Sequence, residues 1–194
     1  MVVRASRPPD CVLRTDGRTA DLDQHAAEQR ATAAALAVFR GSGPGLGPAA
    51  LTCRHGGSST SESDSLDARG LTRRAETVRT DLIDTFGRLS LGGYAPGGLH
   101  HGHMPGSAHY EGRAIDVFFR PADVANRTRG WAMAQYLVAR ADLLKIKTVI
   151  FSDKIWTAGG RSDSGWRDYT PPERSGDPKI LRHLDHVHVD VLEQ

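Results

Sequence analysis

Seven of the nine histidines fall in two short windows, Leu99–His109 and His183–His188, far apart in the chain. Scattered surface histidines do not cluster in this way, so the two windows are expected to meet in space. In "DHVHVDV", the alternation of a strand puts His186, His188 and Asp190 on one face and Val187, Val189 and Val191 on the other, apolar face. An HxH on a strand aims two imidazoles the same way, about 6–7 Å apart. That arrangement suits a metal ligand beside a second polar group. Its plain alternative is a pair of exposed histidines on an edge strand.

The first window leads into "SAHYEGRAIDVFF". Asp116 lies between the apolar Ile115 and Val117 and shares a face with Ala114. A carboxylate buried alone there would cost several kcal/mol, so it needs a cationic partner. The small residues Gly112 and Ala114 allow something to approach the backbone closely. The alternative is an aspartate turned to solvent on a half-exposed sheet. One loop histidine, one strand aspartate and one histidine from a second strand form a 2-His-1-carboxylate set, which describes a catalytic zinc site with an open position. Imidazole and carboxylate also suit iron(II). The iron oxygenases, however, usually place the first histidine and acid two residues apart, whereas His109 and Asp116 are seven apart. A metal-bound water needs a nearby base. Asp185, three residues before His188, is a candidate.

These residues need a scaffold. Leu22–Phe39 is alanine-rich without Gly or Pro and reads as a helix that stops at "RGSGPGLGP". "CRHGGSSTSESDSLDARG" has the composition of a linker. Thr72 is a good N-cap for a helix to Phe86 with Ala75, Val78, Leu82 and Phe86 on one face. "LSLGGY" suggests a short strand into a turn, and "APGGLHHGHMPGS" a loop. "RAIDVFF" and "KTVIF" read as strands, Arg129–Asp142 as a helix, and Ala158–Pro178 as a polar excursion carrying Trp166 and Tyr169. The expected class is α+β, a small mainly antiparallel sheet with helices packed on it. The expected organisation is a helical segment over 1–53, a linker over 54–70 and the site-bearing domain over 71–194.

Composition excludes some functions. The net charge is only +2, with the basic residues mixed among acids, so a nucleic-acid partner is not expected. No apolar run is long enough to cross a bilayer, and "MVVRASRPPDC" lacks the apolar core of a signal peptide. Cys11 and Cys53 are either two small buried thiols or, outside the cytosol, one disulfide.

"SAHYEGRAID" resembles the SxHxxGxAxD motif of the zinc D-alanyl-D-alanine carboxypeptidases, dipeptidases and phage L-alanyl-D-glutamate endopeptidases. "HYEGRA" followed by "ID" is closer still to the signalling domain of hedgehog proteins, which shares that fold. The terminal "DHVH" resembles the second half of the peptidase signature, and the likeness spans about Gly70 to Gln194. It implies a hedgehog/DD-peptidase-like fold and a Zn2+ site held by His109, Asp116 and His188. Asp185 takes the place of the general base and His186 that of the histidine flanking the metal. Ser107 matches the motif serine, expected to orient substrate or a ligand, His103 is placed at the mouth, and Glu111 is adjacent but surface-facing. Trp166 and Tyr169 are expected as cleft walls and Trp156 as core. Many of the carboxypeptidases carry an arginine after a "GY" turn to stabilise the oxyanion; here that position is Ala95. The implied activity is hydrolysis of peptidoglycan stem peptides. The alternative is a zinc-containing module that binds cell-wall peptide or a protein partner without cutting. A peptidoglycan substrate implies an extracytoplasmic location and a Cys11–Cys53 disulfide.

Overall fold

A computed structural model describes residues 10–57, 65–172 and 175–193. The chain opens with β1 (Cys11–Thr15) and β2 (Arg18–Leu22), an antiparallel hairpin. Asp16 and Gly17 form its two-residue loop with φ of 49° and 73°, the left-handed pair that matches strand twist in tight hairpins. Helix α1 (Gln24–Phe39) follows, capped by Asp23, whose carboxylate accepts from the Ala26 amide at 2.7 Å. Strand β3 (Leu51–Cys53) pairs antiparallel with β1 to complete a three-stranded sheet, and the Cys11–Cys53 disulfide joins two directly paired positions. The segment expected to be helical is therefore strand, strand, helix, strand. The alternation around Asp16-Gly17 is the local cause.

Helix α2 (Arg73–Phe86) starts at Thr72, whose hydroxyl accepts from the Ala75 amide, and ends at Gly87. It is followed by β4 (Leu91–Gly92), β5 (Ala114–Phe118), α3 (Val124–Ala139), the single turn α4 (Ala141–Leu144), β6 (Ile146–Phe151), β7 (Lys154–Thr157), β8 (Arg167–Asp168), the turn α5 (Pro178–Leu181) and β9 (His186–Val191). Helix α3 begins five residues before the expected Arg129, because Asp123 caps it by accepting from the Asn126 amide. The six strands from β4 onward form one antiparallel sheet in the order β4-β5-β9-β6-β7-β8. Helices packed against mainly antiparallel sheets make the class α+β.

One face of the larger sheet is the core. Ile115, Val117, Val149, Phe151, Val187, Val189 and Val191 are all buried there. Helix α3 packs on this sheet and on α1, so every residue from Gly130 to Ala139 is buried. Gly130 is required by this contact, since a Cβ there would lie 2.2 Å from the Phe151 ring. Helix α1 offers Ala27, Ala31 and Ala35, small side chains one turn apart that let the helices approach. Gln135 is buried in α3, accepts from the Leu51 amide at 3.0 Å and donates to the Gly47 carbonyl at 3.1 Å. It thereby satisfies the outer edge of β3. A single buried cluster runs from Cys11 and Leu13 through α1 and α3 to Val191, joining the N-terminal sheet to the larger one.

Candidate metal centre and cleft

The other face of the larger sheet carries the polar residues. Register places Ala114 opposite Asp190, Asp116 opposite His188 and Phe118 opposite His186 across β5 and β9. Two of the three candidate ligands are thus direct cross-strand neighbours. The third, His109, comes from the turn before β5, and its ring lies over the same face.

The three groups converge. His109 Nε2 lies 3.1 Å from His188 Nδ1, and each of these atoms is 3.3 Å from Asp116 Oδ1. Ligand bonds of about 2.0 Å in a tetrahedral zinc site put neighbouring donor atoms about 3.3 Å apart. All three residues are buried, and together they could hold a metal ion. Each imidazole is oriented by its other nitrogen. His109 Nδ1–H donates to the Gly93 carbonyl at 2.7 Å, and His188 Nε2–H donates to Asp190 Oδ2 at 3.3 Å. Such outer partners fix the tautomer that leaves the ligand nitrogen free. Burial alone would raise the Asp116 carboxyl, but hydrogen bonds from His109 and His188 hold it well below the usual range. Burial likewise disfavours charge on His188, yet bonds to Asp116 and Asp190 outweigh it and lift the imidazole to about 9 in the metal-free protein.

Gly93 is indispensable to this geometry. Its φ is 79°, and a Cβ would lie 2.4 Å from the His109 ring and 3.1 Å from Asp116 Oδ2. At Gly112 it is the protein's own backbone that approaches closely. A Cβ there would meet the Gly70 carbonyl at 2.5 Å.

The triad forms the floor of a cleft of about 720 Å³. His103, Ser107, Tyr169, His183 and His186 line it with the three candidate ligands. The His103 ring stacks on His109 with centroids 4.0 Å apart, and burial lowers His103 to about 4. Ser107 Oγ accepts from the His109 amide at 3.4 Å, steadying the turn rather than a ligand atom. Glu111 pairs with Arg113 at the rim.

Two placements differ from the expectations. Trp166 is not a cleft wall. Its indole N–H donates to the Leu51 carbonyl at 2.9 Å and its ring packs on Trp131 with centroids 5.2 Å apart, so it fastens the N-terminal sheet to the core. Trp156 is fully buried, as expected. Asp185 does not line the cleft. One of its oxygens accepts from His186 Nδ1 at 2.8 Å and the other from Arg120 Nε at 2.6 Å. Burial would raise this carboxyl, but the His186 and Arg120 bonds lower it. It therefore stands behind His186, whose Nε2 points at the triad, 3.9 Å from Asp116 Oδ1.

Arg120 and His183 had no assigned role. Nothing in the spacing marks Arg120, which reaches the cleft from the end of β5 and lays its guanidinium over the Phe118 ring at 4.2 Å. His183 belongs to the second histidine window. Its ring packs edge-on to Tyr169 at 5.0 Å and against His186 at 4.6 Å, and burial lowers its imidazole to about 2.

Among known proteins, no curated entry and no solved structure matches the chain. A family model described as "VldE, C-terminal domain" matches residues 67–179. That span is more than half of the sequence and contains His109 and Asp116, whereas β9 with His186 and His188 lies beyond its end. On this match the chain belongs to the VldE, C-terminal domain family.

Proposed function

We propose that this protein is a zinc-dependent hydrolase acting on peptide bonds of peptidoglycan stem peptides. The observation that carries the reading is the buried His109–Asp116–His188 set, with donor atoms 3.1–3.3 Å apart on the floor of an open cleft. Two imidazoles and one carboxylate, each imidazole oriented by an outer acceptor, fit zinc in number and chemistry. When bound, zinc supplies Lewis acidity and a water whose pKa is lowered toward neutrality.

The remaining roles belong to the chain itself. His186 presents Nε2 to the centre while its Nδ1–H is held by Asp185. In that tautomer Nε2 is the proton acceptor, and Asp185 orients the ring and favours the imidazolium once the proton has moved. Arg120 occupies the second Asp185 oxygen and keeps that carboxylate from rotating away. Tyr169 and His103 wall the cleft over the substrate. The resemblance of "SAHYEGRAID" and "DHVH" to the zinc peptidases supplies the substrate class. A substrate in the cell wall lies outside the membrane, and the Cys11–Cys53 bond suits such an oxidising location.

Two observations favour a second reading, a zinc-containing module that binds cell-wall peptide without cutting it. Ala95 stands where many of the carboxypeptidases place an arginine, and both Asp185 oxygens are engaged by the protein. The deciding experiment measures metal content and digestion of purified muropeptides by wild type, Asp185→Ala and His186→Ala. Peptide release by zinc-loaded wild type and its loss in His186→Ala support the hydrolase. A zinc-loaded wild type that releases nothing leaves the binding module.

A further inference from the structure

Arg120 is built unlike an ordinary surface arginine. Its side chain is 54% exposed, yet it is fixed at two points: Nε donates to Asp185 at 2.6 Å and the guanidinium plane rests on Phe118 at 4.2 Å. Asp185 in turn is fixed by His186 at 2.8 Å. The chain Arg120–Asp185–His186 therefore ties the guanidinium's position to His186, whose Nε2 faces the triad. Among the described residues, only Nε of Arg120 has a hydrogen-bond partner, so the end-on fork of its two terminal nitrogens is unspent. Arg120 lines the same cleft as the triad. The cleft's other arginine and its lysine are occupied: Arg113 by Glu111 and the Val191 carbonyl, Lys147 by Glu193. A planar fork held in place, with two donors left over, is the geometry that takes a carboxylate end-on. Orientation set in advance also reduces the entropy lost on binding.

We propose that Arg120 anchors a carboxylate of the peptide substrate beside His186, making it a specificity-determining residue for acidic over neutral peptides. This rests on the peptide reading of the site, but it concerns binding and does not require turnover.

The test is a calorimetric comparison on zinc-loaded protein. The probes are a stem tetrapeptide with its carboxylates free and the same peptide with every carboxylate amidated. Wild type is expected to bind the acid at least about tenfold more tightly than the amide, as befits a charge-assisted pair at a partly exposed site. Arg120→Gln is expected to lose most of that preference, read as the ratio of acid to amide affinity within the variant. Arg120→Lys, which keeps the charge but not the fork, is expected to retain part of it. An undiminished preference in Arg120→Gln would show that the metal, not Arg120, reads the carboxylate, and would overturn the proposal. So would a wild type that binds neither probe, or both equally. Mass spectrometry of the recovered peptide reports cleavage separately: intact peptide with a preserved acid preference sinks the hydrolase reading and leaves the anchor standing.

Discussion

His186 Nδ1 and Asp185 Oδ1 are 2.8 Å apart, with the aspartate on the side of the ring away from the metal triad. Asp185 reaches the site through His186. Asp185→Asn should leave metal stoichiometry unchanged and reduce muropeptide hydrolysis by about a hundredfold, within the range for proton-transfer groups. His186→Ala should reduce it at least as much, and the double variant no further, because the two act as a unit. Turnover in Asp185→Asn equal to wild type would remove the dyad from the mechanism.

The triad itself is tested by metal content. Asp116→Ala, His109→Ala and His188→Ala should each lower zinc affinity at least tenfold in equilibrium dialysis. Gly93→Ala should do the same although it supplies no ligand, because its new methyl group would occupy the space of the His109 ring. Loss of the Asp190 bond to His188 should have a milder effect, about tenfold in Asp190→Ala.

The disulfide closes a loop with a sequence separation of 42 residues. On the chain-entropy account, it stabilises the fold by about 4 kcal/mol. Cys11→Ser/Cys53→Ser should unfold at markedly lower denaturant concentration, read by circular dichroism. Thiol titration of denatured, unreduced wild type should find no free thiol.

His183 gives a pH signature. Burial lowers its imidazole from 6.5 to about 2. The folded protein keeps this ring neutral while the unfolded chain protonates it below about pH 6.5. Its contribution is therefore present above that pH and is lost as pH falls toward about 2. For a single proton the slope is at most about 1.4 kcal/mol per pH unit. His183→Phe, compared with wild type in metal-free protein, should lack that part of the acid destabilisation. Parallel stability curves between pH 3 and 6.5 would show that His183 is not held neutral by the fold.

The sequence alone determined much of the scaffold and the candidate ligands. Thr72 and Phe86 bound α2 because capping and apolar spacing are local properties. The alternation in "DHVHVDV" assigned His186 and His188 to one face and the valines to the core, since side-chain direction on a strand follows from position. The segment over 1–53 is expected to be helical, whereas Asp16-Gly17 turns a hairpin there, a two-residue signal that is short beside the alanine-rich helix. Only tertiary structure decided the rest. It set the register that places Asp116 opposite His188, the close approach at Gly93, the turning of Trp166 into the core and the position of Arg120 on Asp185. These depend on which strands pair and how loops return over them. No local pattern encodes that, because the partners lie far apart in the chain and meet only when the sheet and its helices bury a common core.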